Sequence, residues 1–203
     1  MTQDIAFWSA KRLAARLRSR KIGCRELLDL FIGRVERFDP ALNAVVVRDF
    51  ERARRRADEA DSALRRGEVW GPLHGVPMTI KESYDVAGLP TTWGAPRLKD
   101  NIAQRNALAV DRLLAAGVVL FGKTNVPLLL SDWQSFNEVY GTTNNPWDVA
   151  RSPGGSSGGS AAALAAGLTG IEAGSDIGAS APGMAWPCCG TRPKLGLWPK
   201  TPQ

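Results

Sequence analysis

Histidine is nearly absent from this chain of 203 residues, with His74 its one example, and cysteine is scarce, with Cys24, Cys188 and Cys189 only. A single imidazole leaves no room for a Ser-His-Asp site with a histidine to spare, and His74 reads as a hydrogen-bonding structural residue in the turn before a strand. Three unevenly spaced cysteines give neither a disulfide framework nor a zinc site, so no metal and no cofactor is expected. No run of about 18 apolar residues occurs, so no membrane span is expected. The opening MTQDIAFWSAKRLAARLRSR places charges where a secretory signal needs an apolar core. These absences together predict a protein of the reducing cytoplasm.

What is abundant is arginine, glycine and alanine. The formal net charge is +6, with the excess concentrated at Arg52, Arg54, Arg55, Arg56, Arg65 and Arg66. Glu51, Asp58, Glu59 and Asp61 are interleaved with them, the pattern of a solvated helix face. No nucleic-acid module or aromatic platform accompanies the charge, so no nucleic-acid partner is expected.

The chain divides near Gly71. Before it, Leu13, Leu17, Leu27, Leu28, Phe31, Ile32 and Val35 recur at helical spacing, Glu51 to Arg66 continues in the same style, and Ala44 to Val47 reads as a short strand. After it, strands alternate with helices: Val76–Ile80 and Val118–Phe121 as strands, Asn106–Ala116 and Ser160–Leu168 as helices. This rhythm predicts an α/β fold, a mixed β-sheet core flanked by helices. Residues 1–70 form the amino-terminal helical segment and 71–203 the core, within one domain overall.

Chemistry concentrates in RSPGGSSGGSAAALAAGLTGIEAGSDIGAS, Arg151 to Ser180. Its first glycine-serine loop offers Ser156, Ser157 and Ser160, and its second turn presents Ser180 among backbone N–H groups. The loop lacks the GKS or GKT ending of a nucleotide-binding loop. A hydroxyl nucleophile needs a base and preorganised oxyanion donors, and with histidine set aside a lysine is the next candidate. Lys81 ends the strand of GPLHGVPMTIK. Burial there can lower a lysine by roughly three to five pKa units, the amount needed to bring its neutral form within reach.

GPLHGVPMTIKES around Lys81, GKTNVP at 122–127, YGTTNNPWD at 140–148 and the glycine-serine stretch resemble, in order, the amidase signature family. The resemblance implies the amidase signature fold, present as its amino-terminal part, and a Ser-Ser-Lys triad: Ser180 as nucleophile, Ser156 as bridging serine, Lys81 as base. It also implies an oxyanion hole from the backbone of Ile177, Gly178, Ala179 and Ser180, hydrolysis of a small-molecule carboxylic amide through an acyl-enzyme, and a homodimer for a full-length member. Two other readings follow from it: a truncated, non-catalytic remnant, and an amidotransferase A-subunit-like fragment acting on aminoacyl-tRNA.

The sequence departs from the family pattern after Gly178. Ala179 stands where glycine is usual, costing about 1–2 kcal/mol if the turn needs positive φ, and Pro182 replaces an arginine and removes a backbone donor. Agreement returns at RPKLGLWP, which predicts two compensating frame shifts, or a sequencing error, between about Gly178 and Arg192. The length predicts an amino-terminal fragment with open strand edges. Asp176 is expected to brace the second turn through backbone N–H groups.

Overall fold

The computed structural model describes residues 4–175. Its helices are α1 (Ala10–Arg18), α2 (Cys24–Phe38), α3 (Phe50–Arg65), α4 (Leu108–Ala115) and α5 (Gly158–Ala165). Three strands, β1 (Val45–Arg48), β2 (Pro77–Lys81) and β3 (Val119–Thr124), form the main sheet in the order β1-β3-β2. β2 runs parallel to β3 and β1 antiparallel to it, so the sheet is mixed. β1, from before residue 71, therefore pairs with β3 from after it. A two-stranded ribbon, β4 (Phe136–Asn137) with β5 (Gly141–Thr142), stands apart.

The parallel β2–β3 pair needs a crossover, and α4 supplies it. α4 lays Val110, Leu113 and Leu114 on one face of the sheet, with Ile80, Val86 and Leu120. On the other face α1, α2, α3 and α5 enclose the larger core. There Leu13, Leu17, Leu27, Leu28, Phe31 and Ile32 are almost fully buried against Val119 and Phe121. Each such side chain contributes about 1.5–3 kcal/mol of burial free energy. α5 brings only small residues to this layer, which lets its backbone approach the sheet closely.

Caps fix several ends. Ser9 Oγ accepts from the Arg12 N–H at 3.3 Å, and Glu26 accepts from the Gly23 N–H at 3.1 Å. These satisfy donors that a helix leaves open at its first turn. Buried Asp39 accepts from the N–H groups of Ala44 (2.7 Å) and Val45 (3.2 Å), and from Arg48 (3.2 Å), fixing the entry into β1.

The expected elements are present with shifted ends. β3 continues past Phe121 through Gly122, Lys123 and Thr124. α5 begins at Gly158 rather than Ser160, and α4 at Leu108 rather than Asn106. The charged face of α2 and α3 is in part as expected: Arg25 joins Asp29 and Asp58, and Arg54 joins Asp29 and Glu51. Arg56 departs from it. Its guanidinium donates to the carbonyls of Leu114 (2.9 Å) and Val118 (3.0 Å) and lies 4.7 Å from the Trp70 ring centre. Leu114 lies in the last turn of α4, where the helix dipole favours a cation.

His74 is fully buried. Nδ1 accepts from the Trp70 N–H at 3.0 Å, which puts the proton on Nε2, 3.1 Å from the Ala60 carbonyl. Burial lowers its pKa, favouring the neutral ring. The one imidazole is thus engaged in joining α3 to the turn before β2. Among the described residues no helix is long and apolar enough to cross a membrane.

Candidate active site

β2 ends at Lys81, and both the strand and the lysine side chain are buried. Thr79 and Lys81 share one face of the strand, toward α5, while Met78 and Ile80 face α4. From that position Lys81 Nζ donates to Ser156 Oγ at 2.7 Å and to Ser175 Oγ at 3.0 Å. Ser156 lies in the turn before α5 and is also buried. Two members of the expected triad are therefore in direct hydrogen-bond contact although they are 75 positions apart.

The turn is held closely. The Gly155–Ser156 peptide is cis. A β-carbon on Gly155 would lie 2.3 Å from the Gln134 carbonyl oxygen, and one on Gly158 2.3 Å from Ser135 Oγ. Ser135 Oγ in turn donates to the Gly154 carbonyl at 3.0 Å. Glycine is required here by close approach, so the glycine-serine loop is a packed element.

Ser157 and Ser175 tie this turn to the segment after α5. Ser157 Oγ donates to the Ser175 carbonyl at 3.0 Å and accepts from its N–H at 3.3 Å. The Lys81 N–H donates to the Ala173 carbonyl at 3.1 Å, and the Tyr84 hydroxyl to the Gly174 carbonyl at 2.9 Å. Ser175 is thereby held beside the lysine, at the start of the second glycine-serine turn. Ser180 and the expected oxyanion donors Ile177, Gly178 and Ala179 lie outside the described residues, as do Asp176, Pro182, Cys188 and Cys189.

A second buried polar group lies on the other side of the sheet and explains the remaining motifs. Glu82 accepts from the backbone N–H groups of Thr92 (2.6 Å) and Trp93 (3.0 Å) and from the Tyr140 hydroxyl (3.0 Å). Lys123 donates to the Pro90 carbonyl and, at 2.9 Å, to Thr91 Oγ1. Burial lowers its pKa to about 8, against the opposing pull of Glu82 and Asp85. Asn125 donates to Thr143 Oγ1 at 3.0 Å, and Asn137 to Asn125 Oδ1 at 2.9 Å. KES, GKTNVP and YGTTNN therefore meet in one scaffold behind Lys81, with every buried side-chain polar atom of the described residues paired.

The sequence motifs alone do not bring Ser175 to Lys81 or assemble this scaffold. The signal for Ser175 was its place as the hydroxyl next to Asp176 in the second turn. Among the described residues no group of three or more His, Cys, Asp or Glu side chains is arranged to hold a metal.

Residues 26–203 match the sequence profile of the Amidase family. The chain is 43% identical to an acylamidase of Rhodococcus erythropolis over 99% of its own length and 43% of that protein's. It is 41% identical to the A subunit of a glutamyl-tRNA(Gln) amidotransferase from Halorhodospira halophila, over 91% of this chain and 38% of that one. Among solved structures it resembles a fatty acid amide hydrolase with a TM-score of 0.83 and 29% identity, covering 87% of this chain and 31% of the other. The chain thus spans about two fifths of the length of these curated relatives. With the mixed sheet, the buried lysine and the serine turn in agreement with the sequence match, the chain belongs to the amidase family.

Proposed function

We propose that the chain carries the amino-terminal part of an amidase that hydrolyses a carboxylic amide to an acid and an amine through Ser180, Ser156 and Lys81. The observation that carries this reading is the buried 2.7 Å contact between Lys81 Nζ and Ser156 Oγ. A lysine removed from water has its ammonium form penalised relative to the free amine, and the free amine is the form that accepts a proton.

In the proposed cycle, Lys81 takes the proton of Ser156 as Ser156 takes that of Ser180. Ser180 Oγ bonds to the amide carbon, and backbone N–H groups of Ile177, Gly178, Ala179 and Ser180 stabilise the oxyanion. When the C–N bond breaks, Ser156 returns a proton to the departing nitrogen, which avoids an amide anion. Water, deprotonated along the same chain, then attacks the ester and frees Ser180. His74 takes no part, since both its ring nitrogens are engaged at Trp70 and Ala60.

The proposed substrate is a small-molecule amide, with no nucleic-acid partner, in the reducing cytoplasm and with a homodimer as the full-length form. The similarity to the amidotransferase favours a second reading, in which the same triad releases ammonia for transfer to an aminoacyl-tRNA. The test is amine release from simple anilides and primary amides. Ser156→Ala is expected to slow it by about 100- to 10,000-fold, the range for loss of a proton-transfer group. Folded protein that releases no amine and leaves Ser180 unreactive would favour the non-catalytic remnant instead.

A further inference from the structure

Glu172 has no place in the proton chain, yet three elements of the site converge on it. Oε2 accepts from the Thr79 hydroxyl of β2. Oε1 is met by Ser160 Oγ of α5 at 3.3 Å and by Thr124 Oγ1 of β3 at 3.4 Å. Those two hydroxyls also bond to each other at 2.8 Å. Thr79 is two residues before Lys81, Ser160 follows Ser156 into α5, and Glu172 precedes Ser175. We propose that Glu172 is a positioning residue: as a neutral carboxylic acid it closes a hydroxyl ring with Thr124 and Ser160 through one oxygen and holds Thr79 at the other, joining β2, β3 and α5 and fixing where Ser175 meets Lys81.

Counting protons supports the neutral form. The ring's three oxygen–oxygen contacts and the Thr79 contact at Oε2 make four, but there are only three hydroxyl protons, one each from Thr79, Thr124 and Ser160. An ionised carboxylate adds none and leaves one contact without a proton, whereas a carboxylic acid supplies the fourth. Desolvation acts in the same direction and raises Glu172 from 4.5 to about 8, even though the hydroxyls and the Ala173 backbone pull the other way.

Charged groups on the neighbouring elements point elsewhere. Lys81 of β2 is turned to Ser156 and Ser175, and Lys123 of β3 to Pro90 and Thr91 on the opposite face. Arg34 of α2 donates to the Ala166 and Gly167 carbonyls, and α5 carries no charged residue.

This inference rests on the proposed triad for its catalytic meaning, but its test has a readout that needs no catalysis. Between pH 4.5 and about 8 the native protein holds one proton at Glu172 that the unfolded chain has released. Stability therefore falls as pH rises through that window and levels off above it. Urea unfolding of the 203-residue protein and of Glu172→Gln, whose amide keeps one acceptor and a donor, is expected to show this directly. The wild type's folding equilibrium constant should fall by about tenfold per pH unit relative to the variant, the slope for one proton. Lys123 titrates in both proteins and cancels in the difference. A gap between the two that does not change with pH overturns the neutral acid.

The positioning role is read from fluorophosphonate labelling of Ser180. Glu172→Leu should lose most of the labelling and Glu172→Gln should restore it, whereas wild-type labelling in Glu172→Leu overturns the role. If Glu172→Leu does not fold, Glu172→Gln decides: labelling lost in the folded Gln variant contradicts the ring. Absence of labelling in the wild type would instead count against the proposed triad, leaving the unfolding slope as the test of the ring.

Discussion

Replacing Lys81 with alanine is expected to lower the rate at which Ser180 is acylated by about a thousandfold or more, the scale on which removal of an activating base acts in a serine hydrolase. The expectation follows from placement. Lys81 is fully buried at the end of β2, with Ser156 Oγ at 2.7 Å and Ser175 Oγ at 3.0 Å. His74, the one histidine of the chain, is consumed in the packing of α3. Loss of the lysine removes the proposed proton acceptor and leaves the Ser156 and Ser175 hydroxyls without their common partner.

Alanine also opens a cavity, so Lys81→Met, which keeps most of the volume, separates the chemical effect from the packing effect. The methionine variant is expected to remain folded by circular dichroism and to lose labelling to the same degree. Rapid labelling of Lys81→Met would show that the base lies elsewhere.

The second large effect is steric. A β-carbon on Gly159 would lie 2.4 Å from the backbone nitrogen of Asn125 and 2.5 Å from its carbonyl oxygen. Neither atom can rotate away, because Asn125 continues β3 and its N–H is bonded to the Ala44 carbonyl at 2.9 Å. Gly159→Ala must therefore push the start of α5 off the sheet and carry Ser156 away from Lys81. Overpacking of this kind costs about 1–3 kcal/mol, and the backbone contact places it at the upper end. At about 2–4 °C per kcal/mol for a chain of this size, the melting temperature should fall by roughly 6–12 °C.

Gly33 supplies the contrast. It is exposed in the interior of α2, and a β-carbon there meets nothing within 4 Å. Gly33→Ala should stabilise by about 0.5–1 kcal/mol through helix propensity. Calorimetry of the two variants checks the opposite signs, and equal melting temperatures would refute the close approach at Gly159.

Gly159 also shows why the sequence was legible in some places and silent in others. α2 and α3 could be read because each buries one stripe, and Leu27, Leu28, Phe31, Ile32 and Val35 repeat at the spacing of that stripe. α5 has no such stripe. Its first glycines read as loop because glycine disfavours helix, while close approach to Asn125 requires them in the helix. β3 reads as ending at Phe121 because Lys123 and Thr124 are polar, but their hydrogen bonds allow both to be buried. β4 and β5 have two residues each, too few for alternation to register.

For the proposed site, Lys81 and Ser156 were legible through motif order. Glu172 was not, since its three hydroxyl partners come from Thr79, Thr124 and Ser160, separated along the chain and brought together only by folding. The motif around Lys123 was legible as a resemblance, but its physical purpose, a buried cation holding the segment at Pro90 and Thr91, needed the structure.

The most direct test of the proposed triad is to treat the folded protein with a fluorophosphonate and locate the adduct by intact mass and peptide mapping. One adduct, on the peptide carrying Ser180, that disappears in Lys81→Met is the predicted result. An adduct on another residue, or one on Ser180 that forms at an undiminished rate without Lys81, would contradict the Ser180–Ser156–Lys81 assignment.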